Sequence, residues 1–506
     1  MISRLMTSRY TSARLMPGRT LGLSSSLRLG PVLCLALGGC MVGPDYDRPP
    51  AIVSLRFKEL QPPPGWVRAA PQLPPRGDWW RIYNDPVLDA LEAQVAISNQ
   101  NVKVSEADYR QAQAIVDEAR ANLFPTVTGS PGVTRQSTGP STVTNYSLQG
   151  SVSWTLDVWG QIRRQIESDV SSAQASAANL AYAQLSYQAT LAEDYFDLRA
   201  EDSLQKLLDA TVASYQESLR VTQNQYNAGL TAATPVALLQ AATLLEQTRA
   251  EAISVGVLRA QYEHAIAVLV GRPPAEVSLA PAPLTNDIPA IPVSLPATLL
   301  QRNPDIASAE RSMEAENALI GVQVAAFYPE ISLSALYGWS GNPIGSLIQA
   351  SNRVWSLGAS ASQILFEGGA RTAAVRAAEA AYDAQVATYR QTVLTTLQTT
   401  EDDLAALRIY AQEAAAQARA VADARQAVTV SFNEYNAGTV DYTTVVTAEA
   451  TALSDEQTLI TIQQSRMLDT VSLIEQMGGG WDIRDLPSKG SLQTDNPLVP
   501  AFLEKK

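Results

Sequence analysis

Hydrophobic and polar positions along the chain follow two different periods. From Tyr146 to Val158 the even positions (Tyr146, Leu148, Gly150, Val152, Trp154, Leu156, Val158) are apolar or small, and the odd ones (Ser147, Gln149, Ser151, Ser153, Thr155, Asp157) are all polar. Successive side chains of a strand point to opposite faces, so this alternation predicts a β-strand with one apolar and one hydroxyl-rich face. Ile331, Leu333, Ala335, Tyr337 and Trp339 alternate with Ser332, Ser334, Leu336 and Gly338; Trp355, Leu357, Ala359 and Ala361 alternate with Ser356, Gly358, Ser360 and Ser362. Four strands are predicted, over about 126–136, 146–158, 330–340 and 353–366, against the ~9 to 11 residues that cross a bilayer at a tilt.

The other period, alternating spacings of three and four, runs through two stretches without Gly or Pro, Gln161 to Ala228 and Ala370 to Ala437. In the first, Ala173, Ala177, Leu180, Gln184, Tyr187 and Leu191 form a stripe that Leu204, Leu208, Thr211, Tyr215, Leu219, Thr222 and Tyr226 continue. In the second, the stripe is Tyr382, Val386, Tyr389, Val393, Leu397, Thr400, Leu404 and Leu407. Spacing near 3.5 marks helices packed side by side, and at 1.5 Å per residue each would reach ~100 Å. The stripes are rich in Ala and Tyr and interrupted by polar residues, which suits helices ranged around something wide better than a two-stranded zipper.

These elements recur in tandem. Phe124-Pro125 corresponds to Tyr328-Pro329, Gly160-Gln161-Ile162-Arg163 to Gly368-Gly369-Ala370-Arg371, and Tyr226-Asn227-Ala228-Gly229 to Tyr435-Asn436-Ala437-Gly438. The chain divides into a signal segment (1–39), a Pro-rich N-terminal segment (40–85), a first repeat (86–271), a linker (272–296), a second repeat (297–480) and a C-terminal tail (481–506). Long helices are expected at 161–228 and 370–437, and return helices at 235–270 and 441–477. Seven prolines between Arg272 and Pro296 favour an extended linker.

Composition narrows the setting. Positions 1–39 carry five arginines and no acidic residue, with an apolar run from Leu29 to Leu37 ahead of Gly38-Gly39-Cys40. That pattern reads as a signal peptide with a lipoprotein cleavage site, leaving a covalent lipid on Cys40 at the new N-terminus. The other cysteine, Cys34, falls in the removed segment, so no disulfide framework is possible. A net charge of −13 argues against nucleic-acid binding. Past the signal no apolar run reaches the ~18 residues of a spanning helix, so a bilayer crossing must use strands.

Four strands cannot close a barrel, since the smallest single-chain examples have about eight. Two, three or four copies would give eight, twelve or sixteen, and open edges alone imply such sharing. Tyr146, Trp154, Tyr337, Trp339 and Trp355 supply candidates for interfacial aromatic girdles.

No catalytic constellation is visible. The sole histidine, His264, lies on a predicted helix between Glu263 and Ala265, which offers little to transition-metal chemistry. The acidic runs Glu193-Asp194 and Glu401-Asp402-Asp403 read as solvated helix faces. Functional candidates are instead the helix tips, where Gly229 and Gly438 end the long helices and the chain must reverse. Thr234-Pro235 then restarts a helix with a good cap.

Several short motifs, in order, resemble the outer-membrane efflux factors of tripartite pumps, in their lipoprotein branch (NodT/OprM-like, related to TolC). They are Val42-Gly43-Pro44-Asp45-Tyr46, Trp79-Trp80, Asp85-Pro86-Val87-Leu88, Asp157-Val158-Trp159-Gly160 with Arg163, and Asn303-Pro304-Asp305-Ile306 with Glu310. Ala325-Ala326-Phe327-Tyr328-Pro329, Phe366-Glu367-Gly368-Gly369 and Gly478-Gly479-Gly480-Trp481 complete the set. The resemblance implies a mainly α fold with a transmembrane β-barrel part: a homotrimer whose twelve-stranded β-barrel continues into a long α-helical barrel. It also implies a lipid-anchored place in the outer membrane, tips at Gly229 and Gly438 docking a periplasmic adaptor and inner-membrane pump, and no cofactor beyond the lipid on Cys40. Met41 in place of an aspartate fits outer-membrane export, by resemblance to bacterial lipoproteins.

In the family, acidic residues shortly after the second tip glycine form a constriction ring. Here those positions are Thr444 and Thr447, and the nearest acids, Asp441 and Glu449, become the gate candidates together with Tyr226 and Tyr435. The expected function is a passive exit duct for small molecules. The alternatives are the same duct in type I protein secretion, or a structural envelope lipoprotein without a pore.

Overall fold

The computed structural model describes residues 41–59, 77–229, 234–285, 287–289, 291 and 296–492. The signal segment, the lipid site Cys40 and residues 493–506 lie outside the described residues. In chain order the elements are α1 (Pro86–Ser98), α2 (Gln100–Ala121), β1 (Thr126–Thr138), β2 (Ser141–Leu156), α3 (Gln161–Asn227) and α4 (Pro235–Leu269). They are followed by α5 (Pro296–Arg302), α6 (Pro304–Ala325), β3 (Glu330–Gly341), β4 (Arg353–Ser362), α7 (Ala370–Asn436) and α8 (Tyr442–Gln476).

The tandem repeat extends to hydrogen bonds. At the head of α2 the Asn99 carboxamide oxygen accepts from the amides of Asn101 and Val102 (2.9 and 3.1 Å), while its nitrogen donates to the Leu269 carbonyl at the end of α4 (2.9 Å). At the head of α6, Asn303 accepts from Asp305 and Ile306 (2.9 and 3.2 Å) and donates to the Gln476 carbonyl at the end of α8 (3.0 Å). Each asparagine thus caps one helix and ties down the end of another. Beside them sit Gly271 and Gly478, both at positive φ, where a Cβ would lie 2.2 Å from the Ser98 carbonyl oxygen and 1.9 Å from that of Arg302.

α3 and α7 are each 67 residues long, and α4 and α8 each 35. Both long helices start after a left-handed glycine, Gly160 and Gly369. The Asp157 carboxylate satisfies the first free amides of α3, accepting from Ile162 (2.9 Å) and Arg163 (3.0 Å), and it also pairs with the Arg163 guanidinium. Glu367 serves α7 similarly, accepting from the Arg371 amide at 3.2 Å and pairing with its side chain. α3 packs along α4, α2, α6 and α8, and α7 along α8 and α6. Ala173, Leu191, Leu208, Tyr215 and Thr222 of the first stripe are buried, as are Tyr389, Val393, Thr400, Leu404 and Leu407 of the second. The main core joins Trp79, Tyr83, Leu191, Phe196, Tyr389 and Val471 around the middle of the long helices.

The strands form one antiparallel sheet in the order β1-β2-β3-β4, so the two repeats meet at β2 and β3. The registers Val127↔Val152, Val152↔Ala335 and Ala335↔Leu357 align the apolar positions of all four strands on one face. That face is bare: Val127, Leu148, Tyr337, Trp355 and Leu357 are exposed. Four strand bounds differ from those expected by two residues or more. β1 and β2 run on to Thr138 and Ser141 because Gly139, at positive φ, makes a tight turn where a longer loop was expected. β2 stops at Leu156, since Asp157 is taken up by capping α3. β4 ends at Ser362 and leaves Leu365 and Phe366 92 and 89% exposed, although their apolar character predicts strand to 366.

Candidate gate, anchor and wall

The two tips are built differently. Gly229 and Gly438 both take positive φ and end their helices. The tyrosines three residues earlier diverge: Tyr226 is 42% exposed, whereas Tyr435 is 1% exposed in a cluster with Ala237, Ala241, Tyr442 and Val445. Tyr435 and Tyr442 meet edge-on at 5.1 Å between ring centroids. The Tyr442 and Ser218 hydroxyls share a 2.8 Å hydrogen bond that joins α8 to α3.

The two acidic candidates also separate. Asp441 is exposed at the head of α8 without a side-chain capping bond, and it lines a groove with Thr444, Thr447, Thr451, Ala424 and Ala427. Glu449 is buried, facing Ser218 and Tyr215 of α3, and its Oε2 has no hydrogen-bond partner. Burial raises its carboxyl to about 7, against the pull of Ser218. Its place is inside the helix packing and not on an exposed wall. Sequence spacing could not distinguish the two acids, because which face of α8 meets α3 depends on a partner helix more than 200 positions away.

The acidic runs are less solvated than expected because α8 packs over them. Asp403 is buried, accepts from the Ser472 hydroxyl at 2.9 Å and is pushed up to about 7 by burial. Burial likewise takes Glu193 to about 7, with the nearby Glu475 adding to the rise, and Asp194 and Asp469 each to about 6. Glu401 accepts the amides of Lys58 (2.7 Å) and Glu59 (2.9 Å) and so pins the N-terminal segment to α7. His264 is exposed on α4, and among the described residues no group of His, Cys, Asp or Glu is arranged to hold a metal.

The segment after Cys40 is seated with care. Arg164, 1% exposed, donates to the carbonyls of Val42 (3.1 Å) and Gly43 (3.2 Å) and pairs with Asp45 and Glu167 (2.8 Å each). Met41 rests against Gly160, the Val42 amide donates to the Trp159 carbonyl (3.2 Å), and Arg48 pairs with Glu310 (3.0 Å) and donates to the Tyr389 hydroxyl (2.9 Å). Residue 41 is thereby fixed at the head of α3, just below β2. Across the seam of the repeats Trp159 stacks on Tyr328, with centroids 4.8 Å apart, and donates to the Pro329 carbonyl at 2.8 Å. Sequence reading singled out these motifs but missed Arg164 and Gly321, which they engage, and Asn99, the counterpart of Asn303 in the first repeat.

An outer membrane efflux protein family model matches residues 91–272 and 295–479. The probable efflux pump outer membrane protein TtgC of Pseudomonas putida is 30% identical over 474 residues, covering 91% of this chain and 96% of that protein. The cation efflux system protein CusC of Escherichia coli is 26% identical over 456 residues, covering 89% and 97%. The solved outer-membrane channel OprN superposes with a TM-score of 0.81 at 29% identity, covering 87% of this chain and 100% of that one.

Proposed function

The chain belongs to the outer membrane efflux protein family, and from that premise we propose that it assembles as a homotrimer into a passive duct carrying small molecules out across periplasm and outer membrane. It acts as the outer-membrane component of an efflux system. The observation that carries the duct reading is the sheet: four strands with a continuous bare apolar face, a hydroxyl-lined opposite face and two open edges. In water such a face is costly, at about 25 cal/mol per Å² of apolar surface, and in lipid it is not. Unsatisfied edge groups would have to pair with further strands, because hydrocarbon offers them no partner. Three copies close twelve strands, and the long helices continue that wall into the periplasm.

Energy for transport comes from partners, an inner-membrane pump reached through a periplasmic adaptor that meets the tips at Gly229 and Gly438. Tyr435, Tyr442 and Ser218 hold the tip closed at rest, with Tyr226 exposed beside it, and Asp441 supplies an acidic group to the exposed groove at the constriction. Acyl chains on Cys40 anchor each copy. The seating of Met41, the next residue, against Gly160 supports this reading, since Gly160 opens α3 shortly after the end of β2. Purified protein in planar bilayers should conduct ions and run as a heat-modifiable oligomer on gels. A non-conducting monomer in detergent would reject the duct.

A further inference from the structure

We propose that the apolar face of the sheet carries a binding site for a phosphate-bearing, acylated lipid of the outer leaflet, with the acyl chain in a groove over β2, β3 and β4 and the phosphate held by Arg353. This rests on the duct reading above, which turns that face to lipid and puts the strand ends remote from the long helices outermost.

The charges of the sheet are few and one-sided. Within the four strands and the turns joining β1 to β2 and β3 to β4, the charged residues are Arg135, Glu330 and Arg353. Arg135 shares the apolar face with Val127 and Val133, and Arg353 shares it with Trp355 and Leu357. Both cations lie toward the end remote from α3 and α7, whereas Glu330 lies at the helix end on the hydroxyl face, where Thr155 donates to it at 3.3 Å. Arg353 is exposed and makes no ion pair among the described residues. Every copy has the same strands, so a neighbouring sheet brings no carboxylate to this end either. The anion that a lipid boundary does offer is phosphate, which the guanidinium fork binds with two parallel hydrogen bonds.

Depth and shape agree with charge. Arg353 lies across from Trp339, and Trp339 across from Leu148. From Leu148 to Leu156, at the helix end of β2, the strand covers ~27 Å, or ~20 Å of depth at a ~40° tilt, against an apolar band ~25 Å tall. Arg353 therefore stands at the outer edge of the hydrocarbon, where an arginine is tolerated and headgroups begin. Beside it is a groove of about 420 Å³, lined by Gly150, Ala335, Tyr337, Trp355, Leu357 and Arg353. The small residues Gly150 and Ala335 leave the hollow, while Tyr337 and Trp355 stand exposed around it. A Cβ built on Gly150 would have the Tyr337 carbonyl oxygen as its nearest atom, at 3.8 Å, so a side chain fits there and would fill the groove. An apolar trough with one cation matches a molecule that has both a hydrocarbon chain and an anionic head.

The test uses the full-length protein in nonionic detergent, with bound lipid counted by native mass spectrometry. The probes are lipid A, a phosphorylated and acylated glycolipid of the outer leaflet, and the same lipid stripped of its phosphates. Wild type should bind lipid A at least about tenfold more tightly than the stripped form, and Arg353→Gln should remove that preference, as loss of one charge-assisted hydrogen bond entails. Arg353→Lys, which keeps the charge without the fork, should fall between. Gly150→Leu should weaken both probes while leaving Arg353 in place. Equal binding of lipid A by wild type and Arg353→Gln, or no preference in wild type, would overturn the site and leave the duct standing. The same spectra report the oligomer, and its absence from wild type would reject the duct. A second measurement needs no variant: lipid A with a photoreactive diazirine in an acyl chain should concentrate its label in residues 148–152, 335–339 and 353–357, and removal of its phosphates should disperse that label. Labelling spread evenly over the four strands by the intact probe would likewise overturn the site.

Discussion

Gly43 and Gly321 approach so closely that a Cβ on the first would lie 2.4 Å from the Cα of the second. Gly43 also takes a φ of +92°, a region costly for other residues, and Arg164 lies against Gly321 from the other side. Gly43→Ala or Gly321→Ala should therefore unseat residues 41–48 and cost roughly 1–3 kcal/mol, as overpacking does. The expected outcome is a lower Tm and faster proteolysis within residues 41–59, with the cut sites mapped by mass spectrometry.

The twin asparagines predict matched losses. Asn99→Ala and Asn303→Ala each remove a helix cap and a tertiary bond to the end of a return helix. Each should cost roughly 1–3 kcal/mol, and the Asp variants, which keep the cap and lose the donor, should fall between. Thermal unfolding in detergent measures this.

Glu449 sets a pH dependence at the tip. Its carboxyl is raised from 4.5 to about 7 in the folded chain, so the folded state holds a proton that the unfolded state gives up. The stabilisation is complete below about 4.5 and is lost as pH rises through about 7, amounting to at most about 3 kcal/mol. Glu449→Gln should flatten the response, so that amide protection factors near Tyr442, corrected for the intrinsic pH dependence of exchange, no longer fall between pH 5.5 and 8.

Asp441 should behave oppositely. It is exposed and makes no capping bond, so Asp441→Ala should leave Tm within about 1 °C, surface changes of this kind being worth within ±0.5 kcal/mol. Cation selectivity in bilayers should fall. Unchanged selectivity would remove Asp441 from the constriction.

The sheet faces can be told apart by charge. Val152→Arg lies mid-strand on the apolar face and should cost about 2–4 kcal/mol if that face meets lipid, reducing folded oligomer in the outer membrane. Ser151→Arg, one residue along on the hydroxyl face, should be tolerated and alter conductance instead.

Much of the fold is legible in the residues because its periods are local. Alternation from Tyr146 and the stripe through Leu208 and Tyr215 each lie on one element, and glycine and proline mark where elements stop. What escapes is what depends on distant partners. The Val42–Tyr46 motif is conspicuous in sequence, yet its role needs Arg164, Gly321 and Asn317 from other helices. The inward aim of Glu449 needs α3. Many of the family motifs bond one part of the chain to another, as Trp159 does to Pro329 and Asn303 to Gln476.

The equal lengths of α3 and α7, and of α4 and α8, limit how such a protein can change. One residue inserted into a single long helix would lift its tip by about 1.5 Å and rotate every later side chain by about 100°, leaving one hairpin proud of its twin. Length variation in this architecture must therefore be inherited in pairs, and in multiples that restore the phase, to keep all the tips on one plane.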